Sequence, residues 1–376
     1  MFKKLVLCLL LVVLAVPITA QDEDIPVVAI LRFGPLQPFE LSQKGTTDLL
    51  EAYGYVDGEN IHLIFGDAEF DFPTANLLAE NALDEGADVI IAITTPVAQA
   101  VVNNTLDLEN PPIVLFNTVT SPYGAGIAQS ACIKADNIWG SQALAPYANI
   151  MPILFELNPD IETVGYMYNN AEANSVVSTE IVEQVAEDLG LNLVIQTVTQ
   201  TSEVGIAAEA LVDNGAEAFF IPTDSTVSDG LPALLGVAED VGIPVIHADS
   251  GQVYNGATVA SGLNYYQEGV DTARILIAYL NGEIDIAETG IAQQQGTRLA
   301  INLDSANAQG VDIPQALLDQ ASFFIEDGES SEEAPELSEM SLEDRVAEDA
   351  AYVEALLCSA EDVEAQQAEL DASADD

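Results

Sequence analysis

One pattern runs twice through this chain and constrains its architecture. Short, continuous apolar runs rich in β-branched residues alternate with longer amphipathic stretches. Pro26 to Leu31 (PVVAIL), Ile61 to Phe65, Asp88 to Ile93 (DVIIAI) and Pro112 to Phe116 (PIVLF) read as strands. Leu41 to Tyr53, Pro73 to Leu83 and a segment opening at Pro96 read as helices between them, with Gly54 and Gly86 as stops. Runs without polar alternation are buried on both faces, which calls for helices on either side of a parallel, doubly wound sheet. The series restarts with strands at Thr163 to Tyr168, Leu191 to Thr197, Ala218 to Ile221 and Pro244 to His247. Its helices are Asn174 to Leu189, Glu203 to Asp213 and Thr226 to Val241. Two units of one plan mean two α/β lobes of related fold, which suits a chain of 376 residues.

The expected division gives 21–140 and 255–295 to the first lobe, and 141–254 and 296–325 to the second. Residues 136 to 160, rich in Pro, Asn and Ala, hold the first crossing. Thr258 to Gly262, with the helix Asn264 to Leu280 behind it, reads as the return of the chain. From 326 to 376 the composition changes: 19 acids meet one base, Arg345. Glu329 to Glu339 reads as a disordered acidic linker, Leu342 to Leu357 as a docked helix, and the remainder as a frayed end. At the other terminus Lys3 and Lys4 precede an apolar run from Leu5 to Val16, and Ala20 precedes Gln21. That is a signal peptide over 1–20, cleaved after Ala20. The expectation is an exported protein, periplasmic or otherwise extracytoplasmic.

Charge excludes whole classes of function. With 62 Asp and Glu against 8 Lys and Arg, the formal net charge is −54. A nucleic-acid phosphate backbone is repelled, and anionic lipid equally so. The even spread of acids reads as a solvated surface. Two histidines and three cysteines leave little for a zinc site, so neither metal nor organic cofactor is expected. There is no G-x-S-x-G and no Walker-type loop, and His62 and His247 sit in or at the end of strands. The chain is not expected to be an enzyme.

The informative residues follow the strands, because open α/β sheets bind ligands beyond the carboxyl ends of their strands. After DVIIAI come Thr94, Thr95 and, further on, Gln99; after PIVLF come Asn117 to Gly126, with Thr120 and Ser121. After the strand ending at Tyr168 come Glu172, Asn174 and Ser175; after AFFI, Thr223 and Asp224; after PVIH, Asp249. Several of these lie at helix N-termini, which bind a carboxylate without any Lys or Arg. The same residue types also cap helices with no ligand present.

These stretches resemble a known family. Gly54 to Asn60 (GYVDGEN), Ala92 to Gln99 (AITTPVAQ), Val119 to Gly126 (VTSPYGAG), Tyr168 to Val176 (YNNAEANSV), Pro222 to Val227 (PTDSTV), Gly262 to Gly269 (GLNYYQEG) and Leu299 to Leu303 (LAINL) look like the ABC-transporter substrate-binding proteins. The similar branch is the one associated with tryptophan, tyrosine and related substrates, and the likeness spans about 25 to 325. It implies a type I periplasmic-binding fold: two Rossmann-like lobes with parallel sheets, three hinge crossings, and a ligand held between them. Arg32 to Phe39 departs from the family pattern, as do residues 131 to 150 and the acidic tail.

The expected function follows from these implications. An exported solute-binding protein captures a small zwitterion, an aromatic or branched amino acid, and delivers it to an ABC permease subunit. Its partners are that ligand and that permease, and the chain is expected to be a monomer. The alternative is a ligand sensor that signals to a membrane receptor without transport. Phe33 is a candidate for stacking on a ligand ring, with Phe39 and Tyr123. Thr95, Gln99, Thr120 and Ser121 act from the first lobe. Asn174 and Ser175 hold the carboxylate from the second, with Thr223 beside them, and Glu172, Asp224 or Asp249 hold the ammonium. Asp224→Ala is expected to weaken binding more than folding. Cys132 and Cys358 are the only cysteines left after cleavage, one in the divergent stretch and one in the added tail, and are expected to form a disulfide.

Overall fold

A computed structural model describes residues 25–373. The leader read over 1–20 lies outside the described residues. The first lobe is built on β1 (Val27–Arg32), β2 (His62–Asp67), β3 (Val89–Ile93), β4 (Ile113–Val119) and β5 (Ile138–Gln142). The second contains β6 (Thr163–Asn169), β7 (Asn192–Val198), β8 (Ala218–Ile221), β9 (Val245–His247) and β10 (Val259–Gly262). The chain then adds β11 (Ala292–Gln293) to the first sheet, and β12 (Arg298–Asn302), β13 (Phe323–Glu326) and β14 (Glu329–Ser330) to the second. The orders are β11-β5-β4-β3-β1-β2 and β14-β13-β12-β10-β9-β8-β6-β7. The first sheet is parallel throughout. The second is parallel except where β10 meets β12 and β13 meets β14.

Side-chain alternation explains the cores. In the second lobe Met167 and Phe219 join the core on one face, while Tyr166 and Phe220 join the core on the other. All five residues of β3 are buried, whereas β2, at the sheet edge, is half exposed. The helix Phe72–Asp84 starts where the Asp71 carboxylate accepts from the Thr74 N–H at 2.9 Å, with Pro73 in its first turn. The helices Gln37–Ala52 and Tyr265–Leu280 lie against each other. A Cβ on Gly45 would fall 2.1 Å from the Tyr266 carbonyl oxygen, and one on Gly269 would fall 1.9 Å from that of Ser42.

Three expectations change. Strand β10 hydrogen-bonds to β9 and β12, so the chain returns to the first lobe after Gly262 and not at 255. An apolar strand carries no mark of which sheet it joins. The single helix read over Thr226 to Val241 is two, Ser225–Asp229 and Leu231–Val241, broken at Gly230 with Pro232 in the next first turn. The tail is more structured than its composition implied. Glu329 and Ser330 close a hairpin on β13 through Asp327 and Gly328, both with positive φ. The helix Leu342–Glu354 docks as expected, but Ala360–Ser373 is also helical where a frayed end was read. Cys132 and Cys358 form the expected disulfide, with Cα atoms 5.9 Å apart.

Candidate ligand-binding cleft

The carboxyl ends of the two sheets face each other across a cleft. It holds about 430 Å³ of space between the atoms of its walls, part of it open to solvent. Leu36, Phe39, Thr94, Thr95, Thr118 and Thr120 line it from the first lobe. Asn174, Thr223, Asp224, Ser225, Ser228 and Asp249 line it from the second, and Tyr265 stands where the chain crosses back. The lobes touch at the rims. The Thr120 and Thr223 hydroxyls lie 3.3 Å apart. A Cβ on Gly124 would fall 2.5 Å from Val177, and one on Gly251 would fall 2.4 Å from the Gln37 side-chain oxygen.

The first-lobe wall is neutral, and two of its hydroxyls are unsatisfied. Thr94 has φ 91° and Thr118 has φ 56°. A β-branched residue in that region is strained, and such strain concentrates at ligand sites. The Thr94 N–H donates to the Asn117 carbonyl at 3.0 Å, and its own carbonyl accepts from Ala98 at 2.9 Å. The Thr118 N–H donates to the buried Glu268 carboxylate at 2.9 Å. No side chain caps the helix Thr95–Thr105, and Pro96 in its first turn has no N–H. The hydroxyls of Thr94 and Thr95, 3% and 1% exposed, have no hydrogen-bond partner. A buried hydroxyl without a partner costs about 1–3 kcal/mol.

The second-lobe wall is acidic, and its acids are already occupied. Asp224 accepts from the Asn169 N–H at 2.6 Å, the Ser175 hydroxyl at 2.6 Å and the Val227 N–H at 2.8 Å. Burial, and then the neighbouring Glu172 charge, pushes its carboxyl up to about 7. Asp249 accepts from the Gly251 N–H at 2.9 Å and the Gln252 amide at 3.1 Å, and burial pushes it up to about 6. Burial holds His247 neutral by lowering it to about 3. Its Nδ1 accepts from the Asp249 N–H at 3.1 Å, so Nε2 carries the proton and faces Ser228 at 3.2 Å. That tautomer is opposite to the one a general base beside a serine needs. Asn174 donates to the Thr223 carbonyl at 2.8 Å and leaves its own side-chain oxygen without a partner. Among the described residues no Lys or Arg lines the cleft. Among the described residues no group of three or more His, Cys, Asp or Glu is arranged to hold a metal ion.

The structure brings Thr95, Thr120, Asn174, Thr223, Asp224 and Asp249 together in the cleft. Phe39, a candidate for stacking, also lines it, whereas Tyr123 and the remaining candidates do not. Phe33 is fully buried in the first-lobe core, with ring centroids 6.0 Å from Phe70 and 5.0 Å from Phe72. Gln99 donates to the Ala125 carbonyl at 3.0 Å and holds the loop after β4. The Ser121 hydroxyl accepts from the Gly124 N–H at 3.0 Å and shapes the same loop. Glu172 accepts from the Ser225 and Thr226 N–H groups at 3.0 Å each, behind the wall, and Ser175 supports Asp224. Thr94 and Thr118 stood in the strand exits read from the sequence but were not chosen as contacts, and Tyr265 was not chosen either. The sequence signals for Tyr265 are the family-like stretch Gly262 to Gly269 that contains it and Asn264 just before it, whose side chain caps its helix.

Two α/β lobes, three crossings and a polar cleft between opposed strand ends define a two-lobed ligand-binding protein. A model of the ABC transporter substrate binding protein family matches residues 28–325, and the chain belongs to that family. It is 28% identical over 286 residues to a tyrosine-binding protein of Clostridioides difficile (strain R20291), covering 76% of this chain and 81% of that protein. A conserved domain protein from Vibrio cholerae superposes with a TM-score of 0.75 at 28% identity, over 80% of this chain and 99% of that one. An ABC domain from Streptococcus pneumonia in complex with L-Trp gives 0.74 at 24% identity, over 80% and 100%. A ligand-free, open substrate-binding protein with adhesive properties from Clostridium difficile gives 0.60 at 29% identity, over 80% and 99%. The lower score against an open form, at similar identity, accords with lobes that touch here.

Proposed function

We propose that this protein captures a zwitterionic aromatic amino acid between its lobes and delivers it to an ABC permease on the outer side of a membrane. The observation that carries the reading is a set of three buried polar atoms without partners, all in the cleft and drawn from both lobes: the Thr94 and Thr95 hydroxyls and the Asn174 side-chain oxygen. Natural interiors usually satisfy such atoms, and a polar ligand in the cleft would supply their partners. The ligand carboxylate sits at the open start of the helix Thr95–Thr105, where N–H groups and the helix dipole receive an anion. The ammonium sits against Asp249 and Asp224, with the Asn174 oxygen as a further acceptor. Leu36, Phe39, Pro96 and Tyr265 supply the apolar surface for a ring. The tyrosine-binding relative supports this choice of ligand. The leader read in the sequence and the family's usual role support export. Among the described residues no helix is long and apolar enough to cross a membrane.

A thermal-shift panel tests the reading. L-Tyrosine or L-tryptophan at 100 times its Kd should add about 2.7 kcal/mol of stability. N-Acetyl derivatives, which lack the ammonium, should add nothing. If no free amino acid raises the melting temperature, the assignment is wrong.

A further inference from the structure

The segment beyond the family match does more than decorate one lobe. We propose that the C-terminal tail is a fourth connection between the lobes, seated on the second lobe by Arg298 as its positioning residue, and that it sets how far the cleft opens. On the second lobe the β13–β14 hairpin ends at Ser330, and the Glu332 carboxylate then pairs with Arg298. The Tyr254 hydroxyl donates to the same carboxylate at 2.8 Å, and Arg298 lies 5.0 Å over the Phe323 ring. Five residues later Leu337 packs against the core of the first lobe. From there the helix Leu342–Glu354 lies along Tyr265–Leu280. Buried Arg274 binds Asp271 at 2.8 Å and reaches Asp349 and Glu348 of the tail at 2.6 Å each. The disulfide from Cys358 to Cys132 completes the attachment.

The few bases of the chain concentrate at these contacts. The described residues hold six Lys and Arg. Arg274 and Arg298 bind tail carboxylates, and Arg345, within the tail, donates to the Ser338 carbonyl at 2.5 Å. A chain so poor in cations has placed half of them where the tail is held. Reach supplies the mechanism. Five residues extend to at most roughly 17 Å, so the strap from Glu332 to Leu337 has a fixed length while both ends hold. Glu332 lines a small cavity with Gln37 of the first lobe and Gly251 of the second, at a rim that parts when the lobes separate.

The test needs no ligand, so it stands or falls apart from the amino-acid assignment. A protease site is placed within 333–336 of the full-length protein, and spin labels are carried on non-cysteine residues at exposed Glu109 and Glu183, one on each lobe. Electron-electron distance measurements compare uncut and cut protein, in which the tail stays attached through its disulfide. Cutting should move the distribution several ångströms longer and broaden it. Arg298→Gln should give a smaller shift in the same direction, and Arg298→Lys should restore the uncut profile. Superimposable distributions before and after cutting would overturn the proposal. So would a fall in melting temperature with no change in distance, which would make the tail a brace for the first lobe alone.

Discussion

The two walls of the cleft solve the same problem in opposite ways. The first lobe offers neutral hydroxyls with no partners, on strained backbone, beside a helix start that no side chain caps. The second offers carboxylates whose oxygens already accept from their own lobe. One wall is complete only when a ligand arrives. The other is part of the fold whether or not a ligand is present, apart from the Asn174 oxygen, which has no partner in its own lobe. Binding and folding should therefore separate on the first wall and stay coupled on the second.

The largest test of that difference is Asp224→Ala. Its carboxylate satisfies two backbone N–H groups and the Ser175 hydroxyl in a fully buried position. Leaving those donors unpaired costs about 1–3 kcal/mol each before partial relaxation, so stability should fall by roughly 3–5 kcal/mol and amino-acid binding should vanish with it. Chemical denaturation with calorimetry on the same samples measures both. This reverses the expectation drawn from sequence, in which binding suffered more than folding. A variant that binds poorly yet unfolds at the normal denaturant midpoint would restore it. The counterpart is Thr95→Val, which removes a partnerless hydroxyl and keeps the shape. Affinity should fall about tenfold, the worth of one net hydrogen bond of about 1.4 kcal/mol, while stability stays level or rises slightly. A matching loss of stability would show that the hydroxyl serves the fold.

The alternation of apolar runs made the two lobes and the position of the cleft legible, because a buried parallel sheet demands that pattern and places its ligand beyond the strand ends. Within the cleft, legibility followed chemistry that residue type can express. Asp224, Asp249 and Asn174 were readable because such residues just after a strand commonly cap a helix or contact a ligand. Thr94 and Thr118 were not, since nothing in a threonine announces a positive φ. Phe33 and Phe39 show the limit for aromatics: six residues apart in one loop and helix start, one fills the core and the other reaches the cleft. The tail was misjudged in part because its acids imply disorder by composition. Two arginines far away in sequence pair with three of those acids and dock the tail.

The smallest effect, and the most discriminating, lies in pH. Burial raises Asp224 from 3.8 to about 7 and Asp249 from 3.8 to about 6. A carboxyl raised on folding binds protons more tightly in the native state than in the unfolded one. Its contribution to stability is therefore present at pH below 3.8 and is lost as pH climbs to the folded value. His247, lowered from 6.5 to about 3, works in the other direction between those values and is silent above them. Glu268, raised from 4.5 to about 8, adds to the loss at the upper end. Ligand-free protein should thus lose stability from about pH 6.5 to 8. Amino-acid affinity should move the opposite way, because an ammonium prefers the ionised carboxylates. From about pH 5.5 to 7.5 the gain should stay under roughly 1.4 kcal/mol, the worth of one pKa unit. Titration calorimetry in two buffers of different ionisation enthalpy should register protons released on binding near pH 6. Thr95→Val, on the neutral wall, should lower affinity by the same factor at both ends of that range. Affinity that ignores pH would mean that the second-lobe carboxylates act as helix caps and never meet the ammonium, and the difference between the walls would then lie in folding alone.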